Sequence, residues 1–230
     1  MHSHSTLSEL YDHLFYQSIG KIQKGDILLD EMIDNPADKR RGLTLLIRPN
    51  NTIADKIYRF QREIENIDGE QYYQPDSDLH ITALSIISCY DGFDLTQVSV
   101  PDYVKIIAES IKDITEIKLN FKGISTSREA VMIQGFSMNN NLDTLRNRLR
   151  KDFRLSTLQQ SIDSRYKLSS AHITAIRFRK ILKSPDSFAS MLQSYREIDF
   201  GEMQAGSLDL VYNDWYQKGS VVKILHRFTL

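Results

Sequence analysis

Cysteine is nearly missing from this sequence: Cys89 is the only one among 230 residues. A single thiol excludes an internal disulfide, and such scarcity fits a reducing compartment, so a cytoplasmic location is expected. Net charge is also nearly absent, −1 from 29 basic and 30 acidic residues. That balance excludes a global positive field for a long nucleic acid. It leaves room for a small anion or a short RNA end met by a local patch. No apolar run approaches the roughly 20 residues of a membrane helix, and the opening residues lack the apolar core of a signal peptide. H-E-x-x-H, paired C-x-x-C, a glycine-rich phosphate loop and G-x-S-x-G are all missing. No metal and no nucleotide cofactor is therefore expected. With 41% apolar and 26% charged residues and no low-complexity linker, the chain reads as one compact unit; a monomer without membrane contact is expected.

What is present is a repeat. Leu79-His80-Ile81-Thr82-Ala83-Leu84 returns as Ala171-His172-Ile173-Thr174-Ala175-Ile176. Both copies lie in apolar, β-branched runs of strand character. Strand alternation puts His80 with Thr82 on one face, and His172 with Thr174 likewise. A lone H-x-T is weak, since His4-Ser5-Thr6 also fits. The flanks repeat too. A strand (residues 42–47, then 130–136) and an amphipathic helix precede each copy. A helix opened by Pro101 or Pro185, and then another strand, follow it.

The remaining elements follow from periodicity. Thr6 with Glu9 marks a capping box, opening a helix over about 7–19 with Leu7, Leu10, Leu14 and Phe15 on one side. Residues 20–40 read as a surface connection ending in the basic Lys39-Arg40-Arg41. Ile53, Ile57, Phe60, Ile64 and Ile67 make the first lobe's helical stripe; Leu142, Leu145, Leu149 and Phe153 make the second's. Arg146, Arg148, Arg150 and Lys151 are read as that helix's outer face. A strand over 116–121, a turn at 125–128 and a C-terminal hairpin (207–212, 221–228) complete the pattern. Residues 1–41 thus form a lead helix and connection. Residues 42–230 form one two-lobed domain of two half-repeats, about 42–125 and 126–230.

The duplicated motif resembles the signature of the two-histidine (2H) phosphoesterase superfamily, which includes the bacterial RNA 2′,3′-cyclic phosphodiesterases once called 2′-5′ RNA ligases. The resemblance covers about residues 42–230. It implies an α+β, bilobed, pseudo-twofold fold: two antiparallel sheets with outer helices and a central cleft carrying both H-x-T motifs. It also implies metal-independent chemistry on cyclic phosphates. The catalytic roles carry over to His80, Thr82, His172 and Thr174, with a small cyclic phosphate or an RNA 3′-end as substrate. The chemistry suits the residues. Opening a cyclic phosphodiester takes a base for water and an acid for the leaving oxygen, and imidazole serves either role. The hydroxyls can donate to the non-bridging oxygens.

Each histidine alone is as readily a satisfied core residue; the matched pair favours catalysis or phosphate binding. Tyr72, Tyr73, Trp215 and Tyr216 are candidates to stack a base, although aromatics more often pack in cores. Arg177 and Arg179 fall on the strand face opposite His172. His13 and His226 have no partner pattern. The competing readings are a non-catalytic phosphate- or RNA-binding module on the same scaffold, and another small-molecule enzyme using it.

Overall fold

The two apolar runs become the motif strands of two antiparallel sheets. The structure is a computed structural model and describes residues 4–230. In chain order the elements are α1 (His4–Gln23), β1 (Arg40–Ile47), α2 (Asn51–Glu65), β2 (Tyr72–Tyr73) and β3 (Ile81–Asp91). Next come a short 3₁₀ turn (Leu95–Gln97), α3 (Val100–Ile111), β4 (Ile117–Thr126), β5 (Ala130–Ser137) and α4 (Asn141–Leu155). The chain ends with β6 (Ile173–Arg177), α5 (Pro185–Ser194), β7 (Asp199–Ala205), β8 (Ser207–Asp214) and β9 (Lys223–Thr229). One sheet has the order β3-β1-β8-β9, the other β2-β6-β5-β4-β7. Leaving out the two-residue β2, each sheet runs outward from its motif strand, with the strand that precedes the motif beside it. This is the bilobed α+β fold with pseudo-twofold strand order.

The sequence halves and the spatial lobes differ. β4, from the first half, enters the second sheet between β5 and β7, while β8 returns to pair with β1 and β9 pairs with β8. α2 packs on β6 and β7, and α4 on β3 and β4. Each lobe is therefore closed by chain from both halves, which makes the two parts mutually dependent.

Local chemistry explains the boundaries. Asn50 caps α2, its side chain accepting from the Ile53 N–H at 3.0 Å. Proline occupies the first turn of α3 and of α5. β4 runs on to Thr126, past the turn expected at 125–128. A bulge between Phe121 and Ile124, with Gly123 at φ 72°, carries the strand forward. α1 starts at His4, so Thr6 lies inside the helix instead of capping it. Its inward stripe is Tyr11, Phe15, Ile19 and Ile22; Leu10 faces out. The spacing of four, four and three is that of a helix face docked on β4, β5 and α5.

Both motif strands carry bulges, and the first lies at the same place in each copy. Thr82 pairs with Leu46 and Leu84 with Leu45; Thr174 pairs with Met132 and Ile176 with Val131. One residue is thus extra in each strand at Ala83 and at Ala175. The irregularity repeats along with the letters. β3 has two further register shifts, so Thr82, Ser85 and Ser88 come to one side at intervals of three.

A bulge leaves a backbone carbonyl off the ladder, and here helices supply the partner. Arg146, fully buried on α4, donates from Nε to the Ala83 carbonyl at 2.8 Å, and from one terminal nitrogen to Thr82 (2.9 Å) and Ser170 (2.7 Å). Gln61, buried on α2, donates to the carbonyls of Ala175 and Gln74, both at 2.8 Å. Each bulge is thus held by the helix that precedes the other motif. The outer-face reading of Arg146 is corrected here: it lies four residues after Leu142 and three before Leu149, within the apolar stripe. Replacing Arg146 with Leu removes the partner of three carbonyls, one buried and two half-buried, and is expected to cost about 3 kcal/mol, read from urea unfolding. A loss under about 1 kcal/mol would show that the clamp is not structural.

Candidate active site

The ladder of each motif strand begins one residue after its histidine, at Ile81 and Ile173. Both imidazoles therefore sit at strand mouths, half-buried, and both line one cavity of about 170 Å³. Thr82 and Thr174 line it as well. The four residues expected from the duplicated motif are thus brought together.

Each ring is anchored from the residue two places before it. His80 Nδ1 lies 2.8 Å from the Asp78 carbonyl. A carbonyl only accepts, so Nδ1 carries a proton and neutral His80 offers Nε2 as a free acceptor. His172 Nδ1 lies 2.7 Å from Ser170 Oγ; a hydroxyl can donate or accept, so either tautomer is satisfied there. Asp78 is itself held. Its carboxylate accepts from the Gly219 N–H at 2.7 Å and Ser77 Oγ at 2.7 Å, and from the Tyr72 hydroxyl at 3.4 Å.

Burial pushes both histidines down, to about 4. Nearby cations act in the same direction: Arg48 and Arg177 on His80, Arg146 and Arg177 on His172. The imidazoles also oppose each other's protonation, His172 lowering His80. At neutral pH the site thus holds two neutral rings in a positive surround, an environment that favours an anion.

Arg177 corrects the sequence reading. Simple alternation puts it opposite His172, but the bulge at Ala175 shifts the phase by one residue. Arg177 lines the cavity beside Thr174, in the place Ser85 holds on β3. Its guanidinium is 3.6 Å from the Asp30 carboxylate and lies over the Tyr216 ring, 5.4 Å from the centroid. Arg179 stays outside the site, bonded to Glu70 and Asp34.

Of the four aromatic candidates, Trp215 lines the cavity, with the Arg165 guanidinium 4.3 Å from its ring centroid. The other three are not among the residues that line it. Tyr72 turns to Asp78. Tyr73 donates to the Asp68 carbonyl at 2.6 Å, drawn away by pairing of β2 with β6. Tyr216 is only 2% exposed, its hydroxyl donating to Asp30 at 2.6 Å. Arg40, from the basic triplet, is paired with Asp38 at 2.7 Å.

Two connecting segments complete the wall. Residues 156–172 link α4 to β6 and dock on the β3 edge, the Ser161 N–H donating to the Ile86 carbonyl at 2.9 Å. Arg150 ties this segment down through Asp163 (2.6 Å) and the Leu168 carbonyl (2.8 Å). The β8–β9 connection brings in Gln217. Among the described residues, three non-glycine residues have left-handed φ, and two of them, Asp163 (58°) and Gln217 (60°), line the cavity. Backbone strain collects at functional walls. Cys89 also lines it, its thiol pushed up to about 12 by burial and so unreactive.

No curated protein matches the sequence. Solved structures do. TT0787 of Thermus thermophilus superposes with a TM-score of 0.61 at 16% identity, over 82% of this chain and 97% of that one. Escherichia coli LigT, complexed with 3′-AMP, gives 0.57 at 15% identity over 83% and 98%. A further structure described as a phosphoesterase gives 0.53 at 15% identity over 83% and 98%. These likenesses establish the shared fold. The sequence model of the AKAP7 2′5′ RNA ligase-like domain matches residues 43–224, most of the chain. The chain therefore belongs to the AKAP7 2′5′ RNA ligase-like domain family, within the 2H phosphoesterase superfamily.

Proposed function

We propose that the chain is a metal-independent phosphodiesterase that opens a 2′,3′-cyclic phosphate, on a small nucleotide or at an RNA 3′-end. The carrying observation is that both H-x-T copies, each with its own bulge and its own Nδ1 anchor, open into the same cavity. One imidazole takes a proton from the attacking water, and the other gives one to the departing ribose oxygen. Water bonds to phosphorus, the P–O bond to one ribose oxygen breaks, and a phosphomonoester results. Thr82 and Thr174 donate to the non-bridging oxygens, and Arg177 adds fixed positive charge beside them. Trp215, stiffened by Arg165, is the aromatic surface placed to take a base. Escherichia coli LigT has been solved with 3′-AMP and with phosphate, ligands of the chemistry this cavity fits. The second reading, a binding module without turnover, is favoured by the low pKa that burial gives both rings. Product formation separates the two.

Replacing His80 or His172 with Ala is expected to lower kcat on 2′,3′-cyclic nucleotides by about 100-fold or more while the melting temperature holds. Chelation with EDTA is expected to leave the wild-type rate unchanged. A His variant at the wild-type rate removes that residue from the reaction; activity lost on chelation and restored by a divalent metal removes the metal-free scheme.

A bound anion favours the charged imidazole, so binding raises the two low pKa values and takes up protons. Sulfate keeps constant charge over this range, and its affinity is expected to rise steadily as pH falls from about 7 to about 5. Either His→Ala change should flatten that slope, as measured by calorimetry. Affinity independent of pH in the wild type would place the anion away from the imidazoles.

A further inference from the structure

The cavity that holds both histidines runs on past them. Thr82, Ser85 and Ser88 line it in a row along β3, each half-buried. The stretch from Thr82 to Ser88 spans about 15–20 Å of bulged strand. A single nucleotide with its phosphate at the imidazoles falls short of the far end. That end is marked by Arg165, exposed at the rim, which lines the cavity and donates to the Cys89 carbonyl, next to Ser88, at 3.3 Å. Its guanidinium stands 4.3 Å from the Trp215 ring centroid. The basic triplet Lys39-Arg40-Arg41 comes to the same place. Arg40 lies 5.6 Å from the same centroid, and Arg40, Arg41 and Arg165 all act on the Cys89 thiol.

The acidic residues of the two connecting segments are already engaged, Asp163 by Arg150 at 2.6 Å and Asp214 by the Lys218 N–H at 2.9 Å. Arg40 is paired with Asp38. The hydrogen bonds of Arg165 and Arg41 go to carbonyls: that of Cys89 for Arg165, and those of Asp38 (3.1 Å) and Arg40 (2.8 Å) for Arg41. Neutral partners leave both charges available to an anion. Arg177 is the cation beside both histidines, and Arg165 is the one beside Cys89. The cavity thus has two cationic ends joined by a row of hydroxyls.

We propose that the Arg165 end is a second subsite, for the phosphodiester backbone upstream of the cyclised nucleotide. The substrate is then the 3′-end of a short single-stranded RNA, not a free cyclic nucleotide. Arg165 holds an upstream phosphate, Trp215 beside it takes a base of the same stretch, and the hydroxyls of Ser85 and Ser88 serve the sugar and phosphate oxygens between. The overall charge of −1 gives no field for a long nucleic acid, but a short end needs only this local patch.

The choice of substrate rests on the phosphodiesterase reading; the subsite itself is tested by binding. Uridine 2′,3′-cyclic monophosphate is compared with a tetrauridylate ending in the same cyclic phosphate. A fluorescent tetrauridylate ending in a 3′-monophosphate reports affinity against salt, and melting temperature is the folding control. In the wild type, kcat/KM is expected to be about 10-fold or more higher on the tetranucleotide. Arg165→Gln should remove most of that advantage, chiefly through KM, and make the slope of log affinity on log salt shallower by about 0.7, one phosphate contact. Arg165→Lys keeps the charge and should keep the slope. A wild type that treats both lengths alike overturns the proposal while the phosphodiesterase reading stands, and so does an unchanged slope in Arg165→Gln. If the folded wild type hydrolyses neither substrate, the phosphodiesterase reading fails and the salt slopes alone decide the subsite.

Discussion

The buried guanidinium of Arg146 is the constraint on which the site depends. It binds the carbonyls of Thr82 and Ala83 on one motif strand and of Ser170 just before the other. One planar cation thus sets the spacing between two strands in different sheets. A cation so deep is tolerated because carbonyl dipoles surround it, and removing them or it leaves unpaired groups in an apolar interior. Burial lowers its pKa to about 10, still high enough to keep it charged at neutral pH. Its charge reaches His172 as well as the backbone, so one group both builds the cavity wall and helps to keep an imidazole neutral.

The exchange of chain between lobes follows from the same need. The first sheet does not finish its core with α2, the helix between its first two strands, because α2 crosses to the second sheet and serves the bulge there, and α4 in turn reaches β3. The result is two lobes that hold each other's irregularities. Bulges are expensive to leave unsatisfied and useful for aiming side chains. Here they turn Ser85, Ser88 and Arg177 toward the cavity while the β-branched neighbours stay in the core. The positive surround that disfavours protonated histidine is the same surround that would hold a phosphate.

Much of this is legible in the letters. The duplicated His-Ile-Thr-Ala, the order of elements and the two antiparallel sheets follow from alternation, helical stripes and repeated flanks. Face assignments fail where bulges break the period of two on which they rest. Alternation sets Arg177 on the wrong face because nothing local distinguishes Thr174-Ala175-Ile176 from a regular strand. Arg146 and Gln61 are different: their positions in the stripes point inward, and only their polarity argues for solvent. Tyr11 carries no signal at all, since the partner of its hydroxyl, Gly135, is 124 residues away in sequence. The aromatics are visible as residues but not as directions; of the four candidates only Trp215 reaches the cavity, because pairing or burial turns the other three aside.

The central claim is that both histidines address one phosphorus atom. A crystal structure of the protein with a nucleoside 2′-monophosphate, the product expected if the 3′-oxygen leaves, tests it most directly. The account predicts the two Nε2 atoms within about 3.2 Å of different oxygens of a single phosphate, with Thr82 and Thr174 hydroxyls on that same group. A phosphate held by one motif alone, or bound outside this cavity with both imidazoles unoccupied, would contradict it.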